Sequence, residues 1–206
     1  ILGAAVAVLA MRLLWPEREQ AAMKRLLARG ALADAEYVRA MLDFWSSVSS
    51  SRSTTGRVDA DRRLLAPARR ACGLAINDAE EALDRIMLEP QVPLARAARW
   101  ETALTFVTYL RRMTRAVTTL AAIGNNEDDL RARAEDVALR MERIGENLKA
   151  SLSNHAVSSI ERAEIEAPTA ASTFGEDTPA QHQLRRLERQ AGVLERTARA
   201  LAEERN

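Results

Sequence analysis

Apolar residues recur along most of this chain at steps of three and four, the spacing of one face of an α-helix. Leu64, Ala68, Ala71, Ala75, Ala79, Ala82 and Ile86 form one such stripe, and Ala103, Phe106, Leu110, Met113, Val117 and Leu120 form the next. Leu130, Val137, Met141, Ile144, Leu148 and Leu152 make a third, and Leu184, Leu187, Ala191, Leu194, Ala198 and Leu201 a fourth. Between Glu17 and about Val48, positions Ala22, Leu26, Ala35, Val38, Leu42 and Trp45 fall near the same period. The stripes are narrow, as in the seam of a bundle rather than the broad buried face of a globular helix. Four long helices joined by short turns then predict an all-α bundle of long antiparallel helices, followed by a separate last helix.

Breaks in the pattern place the ends. Pro16 suits the first turn of a helix, and Gly30 predicts a bend or break. Ser46 to Gly56 has no apolar period and reads as a loop, with Asp59 capping the next helix. Pro67 predicts a kink or the true start of that helix, and Leu88-Glu89-Pro90 ends it, because the residue before proline is pushed out of the helical region. A further helix starts near Pro93 and stops at Gly124-Asn125-Asn126. Asn126 caps its successor, and Glu127, Asp128 and Asp129 complement that helix's dipole. From about His155 to Asp177 the period dissolves into Ser, Thr, Ala, Pro and acidic residues, which predicts a flexible linker. Thr178-Pro179-Ala180-Gln181 has the form of a capping box with proline at the first helical position.

The chain's start differs from all of this. Residues Ile1 to Met11 are uncharged and mostly apolar, and Arg12-Leu13-Leu14-Trp15-Pro16 comes next. At about 1.5 Å per residue the run covers roughly 16 Å, about half of a hydrocarbon core of roughly 30 Å. It predicts the C-terminal half of a transmembrane helix whose other half lies upstream. Arg12 and Trp15 sit where a snorkelling cation and an interfacial aromatic belong. Arg12, Arg18, Lys24, Arg25 and Arg29 outweigh Glu17 and Glu19, so the positive-inside rule puts the rest of the chain, from Pro16 onward, in the cytoplasm. The organisation expected is a half-span over residues 1–16, a bundle over 17–154, a linker over 155–178 and an amphipathic helix over 179–206.

Composition agrees with helix: aromatics make up only 4% of the chain and glycine is scarce. A net charge of +1 with interspersed signs argues against a dedicated nucleic-acid partner, which would show a strongly basic face. The one cysteine, Cys72, has no partner for an internal disulfide and fits a reducing compartment.

Candidate chemistry is sparse. His155 and His182 have no second imidazole or thiol at ligand spacing, and no Glu-x-x-His pair of the kind that holds metals inside bundles occurs. The motifs of phosphate loops, dinucleotide sites and nucleophile elbows are missing too. Glu80, Glu81 and Asp84 lie a turn apart beside Arg85 and read as surface pairs. Arg62, Arg63, Arg69 and Arg70, with Arg111, Arg112 and Arg115, suit either anionic headgroups under a membrane or solvated faces paired to acidic neighbours. Trp100, Phe106 and Tyr109 suit the core, or the lining of a small-molecule pocket in the bundle. No catalytic residue, cofactor or metal site is expected.

The helix ending at Met87-Leu88-Glu89-Pro90, with its Asn-x-x-Glu at Asn77 and Glu80, resembles the cytoplasmic region of the fusaric acid resistance (FUSC) family, as does the preceding segment of Gly3, Arg12, Leu14, Trp15 and Pro16. The resemblance covers roughly residues 1–123, and Asn77, Glu80, Glu89 and Pro90 carry it as a structural motif. It implies a bacterial inner-membrane, multi-pass protein that exports small organic acids, aromatic ones foremost. Its partners would be the lipid bilayer, further copies of itself and the substrate held in the membrane part. The family's translocation path lies in membrane helices, so no transport residue carries over. On the residues alone, a membrane-anchored bundle serving as a scaffold or sensor-type interaction module, without transport, stands as the alternative.

Overall fold

A computed structural model describes residues 2–50, 54–87, 94–123, 127–153 and 178–203, with side chains for all of these except 2–20, 50, 94–99 and 153. The protein is all-α: α1 spans Leu2–Ser50, α2 Thr54–Ala60, α3 Ala66–Met87, α4 Leu94–Ile123, α5 Asp128–Ser153 and α6 Pro179–Glu203. A π-helical turn, Asp61–Leu65, joins α2 to α3. No described helix is long and apolar enough to cross a membrane.

The bundle is a ring of four helices in the order α1, α5, α6, α4, with α3 packed along α1 and α4. Side-chain pairs give the directions. Arg131 reaches Ser46 near one end of the α1–α5 contact, while Gly145 abuts Leu32 and Ala28 near the other, so these helices are antiparallel. Along α1 and α4, Asp34 meets Thr114 and, a turn later, Tyr37 meets Thr118, so this pair is parallel. The helix α3 opposes both, with Arg29 on Asp78, Cys72 on Asp34 and Arg111 on Asn77. The pair α5 and α6 is parallel as well: Arg133 binds Glu188 and, two turns on, Arg140 binds Glu195.

Several boundaries differ from those expected. Gly30 does not break α1. A Cβ there would lie 2.7 Å from Leu110 Cδ1, so the glycine leaves room for the Leu110 side chain of α4. Pro16 does not start a helix either, because α1 is already helical ahead of it. The serine-rich stretch after Trp45 stays helical to Ser50, since Ser46 and Ser49 turn their hydroxyls back onto the carbonyls of Leu42 and Trp45 at 3.0 and 2.8 Å.

Thr54 to Gly56 opens α2 rather than a loop, and no helix begins at Asp59, which lies inside α2. Ahead of Pro67, which has no N–H to donate, the chain widens into the π turn, and the Ala66 N–H bonds Asp61 O. The expected cap at Asn126, the Glu89-Pro90 stop and the linker lie outside the described residues. Glu127 O accepts the Arg131 N–H at 3.1 Å and opens α5.

The α3 seam is also rotated. Leu65, Cys72, Ala75, Ile76, Ala79, Leu83 and Ile86 are buried, while Ala71 is exposed. Two interleaved stripes satisfy the same period in this Ala-rich helix, and the one with larger side chains removes more apolar area from water. In α6 every expected position is buried, and the helix docks on α4 and α5. Its entry is the capping box: the Gln181 N–H donates to Thr178 Oγ1 at 3.3 Å, and the Thr178 N–H to Gln181 Oε1 at 3.0 Å.

Candidate functional site: a buried carboxylate, thiol and hydroxyl

Asp34 of α1 sits where α3 and α4 pack on that helix, with 0% of its surface exposed. On α3, Ala75 and Ala79, one and two turns beyond Cys72, are small and buried. The Asp34 Oδ1 accepts from Cys72 Sγ on α3 and from Thr114 Oγ1 on α4, each at 2.9 Å. Cys72 Sγ and Thr114 Oγ1 lie 3.1 Å apart, closing the triangle. Asp34 Oδ2 is buried without a hydrogen-bond partner.

Burial dominates the electrostatics. Taking the carboxylate out of water raises the Asp34 pKa from 3.8 to about 7, against the two hydrogen bonds, which pull it down. Both protonation states are therefore populated near neutrality. The Cys72 thiol is pushed far up by burial, then by the Asp34 charge and by its hydrogen bond to Asp34, with Thr114 opposing. It stays protonated and is a poor nucleophile.

A second polar pair continues along the same interface. Tyr37 OH and Thr118 Oγ1 are 3.0 Å apart, and Thr118 Oγ1 donates to Thr114 O at 2.8 Å. Burial raises the Tyr37 pKa, with Thr118 and Arg69 acting against it. The arrangement can take up and release one proton inside the bundle. Among the described residues no three His, Cys, Asp or Glu side chains gather to hold a metal ion.

Of the residues that carry the family resemblance, Asn77 and Glu80 converge on one cation. Arg111 of α4 donates to Asn77 Oδ1 at 3.2 Å and forms an ion pair with Glu80, tying α3 to α4. Glu89 and Pro90 lie outside the described residues. Arg12 and Trp15 belong to α1, in the part described by its backbone alone. Phe106 is fully buried in the core, with Trp100 and Tyr109 half-buried against it, and Arg112 stacks on the Tyr109 ring at 4.9 Å. His182 sits in the first turn of α6, where its N–H bonds Thr178 O, and His155 is outside the described residues.

The arginine rows do not lie beside the apolar start of the chain. Because α3 runs against α1, Arg69 comes level with Tyr37, which is about 30 Å along the helix from Pro16 at about 1.5 Å per residue. A headgroup layer at Arg12 and Trp15 is thus out of reach of Arg62, Arg63, Arg69 and Arg70.

Sequence reasoning passes over Asp34 and Thr114 and sees Cys72 only as an indicator of compartment. One signal is present: a carboxylate on an apolar face, flanked by Ala31, Ala35 and Val38. Its partners, on two distant helices, leave no mark in local spacing. No protein-family model, curated protein or solved structure matches the chain.

Proposed function

We propose that this region is the cytoplasmic helical bundle of a FUSC-like multi-pass efflux protein that exports small organic acids, aromatic ones foremost, across a bacterial inner membrane. Its role is structural: it holds the membrane halves together, supports oligomerisation and couples to the cytoplasmic entrance. The supporting observation is the continuity of α1. One helix contains both the apolar run Leu2 to Met11 and the core residues from Met23 onward, so tilt or rotation at one end is delivered to the other as rigid motion. The family-like pair Asn77 and Glu80 fits a structural role too, because it fixes α3 to α4 through Arg111. In this reading the bundle is not an enzyme, and the lipid bilayer is the partner of the apolar run.

A second reading, an anchored sensor module without transport, is favoured by Asp34, whose protonation changes near neutral pH at a junction of three helices. The test compares organic-acid tolerance and efflux in cells carrying the full-length gene, a deletion, and a version truncated after Trp15. Loss of efflux with the truncated form supports the exporter. A parent protein with a single membrane span, or efflux unchanged by truncation, defeats it.

A further inference from the structure

The helix α3 is held less firmly than its neighbours. It lies outside the ring of α1, α5, α6 and α4 and packs on α1 and α4, with the π turn at its entry. That turn, Asp61–Leu65, packs on α1 through the buried Leu65 and interrupts regular α-helical bonding, which makes it a point about which α3 can swing. The outer ties of α3 are solvent-exposed ion pairs, Arg29 with Asp78 and Arg111 with Glu80, which hold weakly in water. Its inner polar tie is Cys72 on the buried Asp34 carboxyl.

Over Asp34 this cover is thin. Beside Cys72, an added Cβ on Gly73 would meet nothing within 4 Å, and the next residue, Leu74, is 54% exposed, so solvent lies against the outer side of the same turn. Beneath it, Asp34 Oδ2 has no hydrogen-bond partner, and water supplies one once α3 moves away. The ionised carboxyl gains more from that move than the neutral acid does, because an unpaired buried charge is far costlier than an unpaired buried hydroxyl. Cys72 of α3 and Thr114 of α4 face Asp34, and Tyr37 follows about a turn later on α1, with Asp61 and Arg69 acting on that phenol. Among the described residues no cation or second carboxylate acts on Asp34 itself.

We infer that α3 is a hinged cover that lifts from α1 and α4 when Asp34 loses its proton, so that the three-helix junction works as a pH-operated latch. Protonation closes it. With the closed-state pKa at about 7 and the ordinary value at 3.8, lifting becomes about tenfold easier per pH unit between these limits and levels off above them. The latch belongs to the bundle alone and rests on neither reading of the parent protein.

Cys72, the one cysteine of the 206-residue chain, is 0% exposed and reports the lift. The test alkylates the chain with iodoacetamide from pH 5 to 8 and reads the rate by mass spectrometry. A freed thiol reacts as its thiolate, which by itself gives about a tenfold rise per pH unit below the ordinary cysteine pKa of about 8.5. The parent should therefore rise about a hundredfold per unit between pH 5 and 7 and about tenfold above, whereas Asp34→Asn should rise about tenfold throughout. Asp78→Asn, which loosens the same helix at an exposed pair, should speed labelling at every pH and keep the parent's slope. Amides of α3 should exchange faster than those of α6 at each pH, which separates lifting of one helix from unfolding of the chain. A tenfold slope in the parent, a slope that Asp34→Asn leaves unchanged or Asp78→Asn alters, or α3 amides as protected as those of α6 overturns the proposal. The parent's slope decides even where a variant fails to fold.

Discussion

Replacing Asp34 by asparagine should alter stability by an amount that changes with pH. The group's folded pKa of about 7 lies above its unfolded value of 3.8, so between these limits the folded state binds the extra proton. Stability from this group is complete below about pH 4, falls as pH rises, and levels off above about pH 7. At 1.36 kcal/mol per pKa unit the full loss is about 4 kcal/mol, and the part between pH 5 and 8 is about 3 kcal/mol. Thr114 and Cys72 are the groups on the facing helices that bond Asp34, and Tyr37 lies about one turn further along α1. Neither the thiol nor the phenol ionises in this window, since both are shifted upward. Asparagine keeps an acceptor for Cys72 and Thr114 and does not ionise, so the constant cost of its unpartnered amide drops out of the change with pH. Urea unfolding of both at pH 5, 6, 7 and 8, monitored by circular dichroism, isolates the Asp34 contribution as the difference between them. Asp34→Asn should gain about 3 kcal/mol relative to the parent from pH 5 to 8, a midpoint shift of about 1–3 M. A difference that stays flat with pH would refute the assignment of a protonated buried carboxyl.

The glycines should separate by environment. Gly73→Ala should stabilise by about 0.5–1 kcal/mol, because its Cβ enters open space, whereas Gly145→Ala should cost about 1–3 kcal/mol, because its Cβ would lie 2.6 Å from Leu32 Cγ; thermal unfolding reads both. A double-mutant cycle on Arg140 and Glu195, 3.4 Å apart and each about a quarter exposed, should return a coupling of about 0.2–1 kcal/mol that shrinks in high salt. Thr178→Ala removes one half of the capping box and should cost about 1 kcal/mol, with faster amide exchange in the first turn of α6.

How legible a feature is depends on whether its cause lies within one helix. The capping box at Thr178 and Gln181 and six of the eight buried positions of α6 can be read directly, because both are set by neighbours a turn away. The serine run reads as a loop and is helical to Ser50, since serine's preference for loops yields when its hydroxyl bonds the carbonyl four residues back. Gly30 reads as a breaker because glycine's low helix propensity is local, while its purpose, admitting Leu110, belongs to another helix. The α3 seam is ambiguous by one position because alanine satisfies two adjacent stripes equally.

That ambiguity bears on why a carboxylate sits in the core. Faces built from alanine bring helices close but discriminate weakly between registers, since a shift by one turn places another small residue at the contact. A polar residue in such a seam selects one register and lowers stability in doing so. Asp34 can be satisfied only where Cys72 and Thr114 arrive together, and Tyr37 only where Thr118 does. Both pairings require α4 to run parallel to α1 at one offset, and Cys72 then ties the antiparallel α3 to the same level. The junction thus holds a carboxyl that titrates near pH 7, and its two hydrogen bonds are met at one alignment of α1, α3 and α4. Any rigid motion entering through the N-terminal part of α1 then reaches α3 and α4 without slipping.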